Sequence, residues 1–149
     1  MATGRWYKCP VCGHQESKWP PMFCALQGLS EQRVASCPDC HTNMQLHLAY
    51  AFALGVGKTD AVALASFLPK SPPKWDNNGR EVTFYPFLVI VKVSSGEELA
   101  WLPYFHIVKD PKKQTEVCRY GQWAPFMGLT LFEDVLGQAR SAGYLDIGG

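Results

Sequence analysis

Hydrophobic and polar positions alternate over several stretches of the chain, and these stretches predict β-strands. Residues 44–56 form an extended apolar run whose first part places alternate side chains on one face. Residues 81–93 and 99–108 are rich in Val, Phe, Tyr and Ile, and a turn is predicted at 94–97 between them. The pattern therefore predicts an antiparallel hairpin, followed by a third strand at 115–120.

Prolines indicate where these strands are irregular and where they end. Pro86 and Pro103 have no amide hydrogen to donate to a ladder, so bulges or edge positions are expected there. Residues 69–79 are dense in Pro, Asn and Gly, which predicts a loop before the hairpin.

Two segments have helical patterns. Residues 60–68 are predicted as a short helix that ends at Pro69. Near the C terminus, Thr130 and Glu133 have the spacing of a capping box, and Gly143 suits the residue after the last turn. This second helix is expected to pack on the strands through its apolar face, which consists of Leu131, Val135, Leu136 and Ala139.

Composition predicts a folded protein without a strong attraction to polyanions. Of the 149 residues, 47% are hydrophobic and 18% are charged, as in folded rather than disordered chains. The net charge of +1 argues against a protein built chiefly to neutralise phosphates. The longest apolar stretch, 46–56, is too short to span a bilayer, and no apolar leader is visible. We therefore expect a cytoplasmic protein without membrane association, whose thiols stay reduced.

The candidate chemistry lies in two Cys-Pro-x-Cys pairs that are separated by 24 residues. A two-residue gap lets both thiolates of a pair turn toward one point, and two pairs supply four sulfurs in the tetrahedral arrangement that Zn²⁺ prefers. Four thiolates leave no open position for water, so one structural zinc is expected rather than a hydrolytic metal. The predicted ligands are Cys9, Cys12, Cys37 and Cys40.

Each pair resembles a zinc knuckle. Gly13 follows the first pair and permits a positive φ, and His41 stands at the equivalent place after the second pair. Over residues 5–50 the arrangement is similar to the zinc-ribbon family, which implies one Zn²⁺ held between two knuckles on short β-hairpins. The resemblance implies a fold and a metal, not an activity. Rubredoxins share the paired cysteines and bind iron, so iron is the less favoured alternative.

Other residues near the knuckles are candidates of lower rank. Cys24, His14 and His41 are each able to replace a ligand, although four thiolates already complete the site. Cys118 lies in a predicted strand and is expected to be a small buried hydrophobe.

Catalytic signals are weak, and we assign no catalytic residue. Residues 55–59 look like the end of a phosphate-binding loop, but Phe52 stands where the full pattern requires glycine. His47 and His106 lie in predicted strands, where a structural role suffices, and Asp134 falls in a first helical turn.

Aromatic residues make up 13% of the chain and concentrate in residues 84–87, 101–105 and 123–126. Most are expected to be core. Exposed members would suit stacking on unpaired bases. The cations beside them are Lys109, Lys112, Lys113 and Arg119.

Together these patterns predict an α+β protein with a zinc-ribbon module at 1–50. A small antiparallel β-meander domain is predicted at 51–149, packed by a C-terminal helix, with a flexible loop around 69–80. The preferred function is a zinc-stabilised, non-enzymatic binding or regulatory protein that recognises a protein partner or a second copy through an aromatic-rich surface. The alternatives are a nucleic-acid-binding, transcription-related zinc-ribbon protein and a small enzyme with an aromatic pocket.

Overall fold

Ten strands and two helices form in the parts of the chain that the computed structural model describes, which are residues 4–16, 21–50, 59–120 and 126–145. In chain order they are β1 (Gly4–Lys8), α1 (Met22–Ser30), β2 (Gln45–Tyr50), β3 (Thr59–Phe67), β4 (Lys74–Asn77), β5 (Arg80–Pro86), β6 (Leu88–Val93), β7 (Glu98–Trp101), β8 (Tyr104–Asp110), β9 (Thr115–Tyr120), β10 (Phe126–Gly128) and α2 (Leu129–Ser141). The predicted α+β class is confirmed.

The strands form two antiparallel sheets. One has six strands in the order β1-β2-β3-β6-β7-β10, and the other has four in the order β4-β5-β8-β9. Because β2 pairs with both β1 and β3, one sheet connects the residues before and after position 50. The division into two domains at that position stays a prediction. None of the described helices is long and apolar enough to cross a membrane.

One long hairpin runs through both sheets. Its arms are β5–β6 and β7–β8, and the pairing register does not change where the chain leaves one sheet and enters the other. At that point the N–H of Phe87 donates to the carbonyl of Pro103 over 2.8 Å. The predicted hairpin is therefore confirmed. One arm breaks directly after Pro86 and the other at Leu102 and Pro103, where irregularity was expected.

The core lies between α1 and the two sheets. Leu26 of α1 is 0% exposed and belongs to one cluster with apolar residues of β2, β3, β6 and β7. Phe23 of the same helix makes edge-on contacts with Tyr85, Phe87 and Phe105, whose ring centroids lie 5.0–5.8 Å away. Helix α1 was not predicted from the sequence, yet it packs against both sheets.

Two secondary-structure predictions are wrong. Residues 60–68, predicted as a helix, lie mostly in β3, a central strand that pairs with β2 on one side and β6 on the other. Ladder pairing on both sides overrides the helical preference of its alanines, and Ala61 and Ala63 are buried in alternation. The segment 69–79, predicted as a loop, contains β4, which joins β5 through a turn at Asn78 and Gly79, both with positive φ.

The C-terminal helix is confirmed, but its start and its packing differ from the prediction. Gly128 occupies the N-cap position, and no side-chain cap hydrogen bond forms at this helix start. Because β10 leads directly into the helix, Thr130 falls inside the first turn and the predicted capping box is wrong. Helix α2 lies against β7 and β10, but Leu131 and Val135, predicted to pack on the strands, are 62% and 46% exposed.

The end of α2 follows the prediction. Gly143 has φ +88°, its N–H donates to the carbonyl of Arg140, and the N–H of Tyr144 donates to the carbonyl of Ala139. This pair of hydrogen bonds is a Schellman motif, which requires a left-handed residue at the glycine position.

Candidate functional site

The two cysteine pairs adopt the same backbone structure. The N–H of Cys9 donates to the carbonyl of His14, and the N–H of Cys37 donates to the carbonyl of Thr42, both over 2.8 Å. A short β-bridge closes each loop, one between Lys8 and Gln15 and the other between Ser36 and Asn43. The second loop thus repeats the first, as the duplicated motif predicts.

A left-handed residue follows the second cysteine in both loops. Gly13 has φ +76° and His41 has φ +64°, and their N–H groups donate to the carbonyls of Cys9 and Cys37 over 3.1 and 2.9 Å. Histidine tolerates this conformation better than bulky or branched residues do, which explains how it replaces glycine in the second knuckle. The expectation of a positive φ at both positions is confirmed.

The knuckles bring the four predicted cysteines together. Their Sγ atoms all lie within 4.8 Å of one another. The Sγ of Cys9 lies 3.4 Å from that of Cys40, and the Sγ of Cys12 lies 3.5 Å from that of Cys37 and 3.9 Å from that of Cys40. Four sulfurs in a tetrahedron around a metal at about 2.3 Å are about 3.8 Å apart, so this donor set fits one metal ion with small adjustments.

The pKa values of Cys12 and Cys40 are shifted in opposite directions. The hydroxyl and the backbone N–H of Thr42 lower the pKa of Cys40 to about 6. The backbone N–H of His14 lowers the pKa of Cys12, but hydrogen bonding with Cys37 and the other thiols outweighs it and raises that pKa to about 12. A bound cation removes this competition, because a coordinated thiol is deprotonated outright.

One side of the cluster is buried and the other is open. Cys9 and Cys37 are buried with Met44 beneath the knuckles, whereas Cys12 is exposed. Because Tyr7 packs against both this small cluster and the main core, the cysteine site adjoins the six-stranded sheet. Burial raises the pKa of Tyr7, and the nearby Cys24 adds to the effect.

None of the three lower-ranked candidates joins the four sulfurs. His14 turns its ring to carboxylates, with Nδ1 3.2 Å from Asp39 and Nε2 3.9 Å from Glu16. His41 and Cys24 are exposed, and neither belongs to the group of side chains that converge on a metal position.

Cys118 does not behave as predicted. It lies in β9, but it is exposed rather than a buried hydrophobe. Desolvation by the neighbouring strands raises the pKa of its thiol, and the charges of Cys24 and Glu116 add to the effect. The residue is therefore a weakly acidic surface thiol.

The phosphate-loop signal lacks its structural context. Residues 51–58 lie outside the described part of the chain, but Thr59 begins β3, which pairs antiparallel with β2. A phosphate-binding loop leads into a helix, whereas the described residues from Thr59 onward form a strand. His47 and His106 lie in strands as expected, and His47 is buried and stacked on Trp6 with 5.5 Å between ring centroids.

The outer side of the four-stranded sheet carries a second candidate site. Strand alternation and pairing place one row of rings on this side, and we call it the aromatic face: Trp75, Phe84, Tyr104 and His106. Ring centroids lie 6.1 Å apart for Trp75 and His106 and 5.3 Å apart for Phe84 and His106. The opposite side of the same strands carries Tyr85 and Phe105, which contact Phe23 of α1.

Charged residues differ between the two sides of this sheet. Arg80, Asp110 and Arg119 lie on the side of the aromatic face, and Lys113 joins them around a hollow of about 270 Å³. Lys109, which the sequence analysis grouped with Arg119, lies on the opposite side.

The opposite side also has an open hollow, of about 450 Å³, at the strand ends. Its acidic lining residues are Asp76, Glu81, Glu116 and also Asp110, which lies at the end of β8 and borders both hollows.

Sequence reasoning missed two members of the outer surface. Trp75 and Arg80 fall in or next to the segment predicted as a loop. The available signal was the alternation of Trp75 with charged neighbours next to Asn78 and Gly79, a typical hairpin turn pair.

The chain matches no protein-family model, and neither the curated proteins nor the solved structures give a match.

Proposed function

We propose that this chain is a zinc-stabilised, non-enzymatic binding protein that recognises a macromolecule through its aromatic face. Cys9, Cys12, Cys37 and Cys40 would hold one Zn²⁺, and the metal would order the N-terminal knuckles. The carrying observation is the aromatic face itself, on which Trp75 is exposed and the other three rings are half-buried, because large rings at a surface favour an interaction site.

Zinc is the metal that the donor set favours. Four sulfurs in a tetrahedral cluster suit Zn²⁺ or iron, and the near-identical knuckle loops are those expected from the zinc-ribbon resemblance. All four positions of the coordination sphere are filled by protein, so the metal would support the fold rather than activate water. A reducing cytoplasm would keep the four thiols available for the metal.

The aromatic face is supported as the binding surface by its exposure. Trp75 on one edge strand is 44% exposed, and Val117 on the other edge strand, on the same side of the sheet, is exposed as well. The rings of Phe84 and Tyr104 between these edges are half-buried. The rings that lie against α1, on the inner side of the sheet, are the ones with a role in the core. Among the described residues, the rings of the outer side belong to neither hydrophobic core cluster, which favours recognition.

Site-specific photo-crosslinking in cells tests this proposal. A photoreactive phenylalanine analogue is placed at position 75 in one variant and at position 67 in another. Phe67 is the matched control, because it is an exposed aromatic residue at the end of a strand in the other sheet. We expect crosslinked macromolecules from position 75 in clear excess over position 67. Equal yields from both positions, or none from position 75, would contradict a binding role for this face.

A further inference from the structure

We infer that the aromatic face binds single-stranded nucleic acid, with its rings stacked on unpaired bases and Arg80, Lys113 and Arg119 contacting phosphates. The inference rests on the proposed function of this face as a binding surface and names the class of its partner. The expected partner is a single strand of nucleic acid. A duplex or a protein is an alternative partner that the experiments below distinguish from it.

The ring geometry suits stacking on bases. The four rings contact one another edge-on or tilted, with interplanar angles of 81° for Trp75 and His106, 79° for Tyr104 and His106 and 47° for Phe84 and Tyr104. None of these contacts is a parallel stack, and the most nearly parallel pair, Phe84 and His106, has an interplanar angle of 39°. A base has a flat π surface of its own and stacks on such rings without regard to sequence.

The cations lie on the same side of the sheet as the rings, next to them and beyond them along the strands. Arg119 pairs across the ladder with His106, so its side chain leaves the sheet beside the row of rings. Arg80 and Lys113 lie further along the same side and line, with Arg119, the hollow of about 270 Å³. Bases on the rings would thus bring the sugar-phosphate backbone toward these three positive charges.

The single carboxylate in this group is already compensated. Asp110 pairs with Arg80 over 3.6 Å and accepts hydrogen bonds from the backbone N–H groups of Lys112 and Lys113 over 3.1 and 3.4 Å. The negative side chains Glu81 and Glu116 point to the opposite side of the sheet, where they would not repel a phosphate backbone. Three cations and one carboxylate leave this group with a net charge of +2, which favours anions although the whole chain has a net charge of only +1.

A single strand fits this surface better than a duplex. In a duplex the flat faces of the bases are covered by their neighbours, so rings on a sheet have nothing to stack against. Three cations also provide only a few phosphate contacts. A protein that binds a duplex through its sugar-phosphate backbone needs more of them. Stacking on exposed bases must then supply much of the affinity.

Fluorescence anisotropy with labelled oligonucleotides tests the inference on the full metal-loaded chain. The probes are a 15-nucleotide poly-dT strand, a mixed-sequence single-stranded RNA and a DNA duplex of equal length. We expect both single strands to bind and the duplex to bind more weakly. Since each phosphate contact on a single strand contributes about 0.7 to the salt slope, three contacts predict a slope of about 2 in magnitude.

Matched variants assign binding to the aromatic face. Trp75→Leu keeps apolar bulk and loses the flat ring, so we expect roughly a five- to hundredfold weaker affinity, the usual effect of one lost base stack. Trp75→Phe should keep most of the affinity, and Phe67→Ala should leave it unchanged. Arg119→Gln, at an exposed position, should lower the salt slope by about 0.7, whereas Lys74→Gln on the opposite side should not. Far-ultraviolet circular dichroism checks that each variant is folded.

The outcomes separate this inference from the proposed function. If neither single strand binds at 50 mM salt, or if Trp75→Leu and Phe67→Ala weaken binding equally, the inference is overturned. The same holds if the duplex binds as tightly as the strands. The crosslinking experiment then still decides the proposed function, because protein adducts from position 75 would retain the binding surface and change only its partner.

Discussion

The Nδ1 atom of His14 lies 3.2 Å from a carboxylate oxygen of Asp39, and this contact joins one cysteine knuckle to the other. Both side chains are partly exposed, and His14 also lies near Glu16. The histidine therefore connects the two loops at their surface, next to the sulfur cluster and not within it.

Asp39→Asn should consequently have a small effect on stability. Partly exposed contacts of this kind contribute about 0–1 kcal/mol, so we expect a loss of that size in the free energy of unfolding. His14→Ala should behave in the same way and keep its full metal content, measured by inductively coupled plasma mass spectrometry. A His14→Ala protein that loses its metal would show that the histidine is a ligand.

Cys37→Ser should remove the metal and unfold the N-terminal knuckles. Cys37 is buried, and the loss of one of four sulfurs opens the coordination sphere. Metal content should fall from one zinc per chain to a small fraction, and the thermal transition should move to lower temperature. Cys24→Ser is the matched control, because that thiol is exposed and outside the cluster. Full metal content in Cys37→Ser would refute the ligand assignment, and iron in place of zinc would refute the choice of metal.

Two leucines in the two helices should differ strongly in their contribution to stability. Leu26→Ala in α1 creates a cavity in the core and should cost about 2–5 kcal/mol. Leu131→Ala in α2 removes a mostly exposed side chain and should change stability by less than about 0.5 kcal/mol. Urea unfolding, followed by circular dichroism, measures both. Similar losses for the two variants would mean that Leu131 packs against a partner or a second copy in solution.

Two glycines of α2 should respond to alanine with opposite signs. Gly137 lies inside the helix with no atom within 4 Å of an added Cβ, so Gly137→Ala should stabilise the protein by up to about 1 kcal/mol. Gly143 has φ +88°, where alanine is strained, so Gly143→Ala should destabilise it by about 1–2 kcal/mol. The same unfolding measurement decides, and equal signs would contradict the Schellman end of α2.

Cys118 should react slowly with alkylating reagents near neutral pH. Desolvation and neighbouring negative charge raise the pKa of its thiol, so less thiolate is present at a given pH than for an ordinary cysteine. In a Cys24→Ser background, its rate of reaction with iodoacetamide should still rise above the usual thiol pKa near 9. Glu116→Gln should shift the profile to lower pH. A midpoint of this pH–rate profile at or below the usual thiol pKa near 9 would contradict the raised pKa of Cys118.

Sequence patterns correctly predicted the parts of the fold that depend on interactions between residues close together in the chain. The cysteine spacing, Gly13 and His41 predict the knuckles because each loop closes its own hydrogen bonds. The long hairpin follows from alternation and from a four-residue turn, and its prolines predict where its arms break.

The rest depends on contacts between distant residues. Helix α1 lacks a side-chain cap, and its residue Phe23 is fixed by rings that lie more than 60 positions later in the chain. Strand β3 has an alanine-rich sequence that favours a helix in isolation, and pairing on both edges determines its conformation instead. Aromatic density was visible in the sequence, but which rings face outward depends on the register of the hairpin, which composition does not contain.

The unchanged register of the long hairpin restricts how this chain can vary in evolution. A strand turns its side chains over with every residue, so one inserted or deleted residue in an arm exchanges the two sides of everything that follows it. A deletion between Pro86 and Val93 would shift β5 by one residue relative to β8, so that its side chains exchange sides. Tyr85, a core ring, would then face outward, and Phe84 of the aromatic face would face the core. Length changes should therefore be confined to the turns, around Gly79, Gly96 and residues 111–114, while the arms between them keep a fixed length.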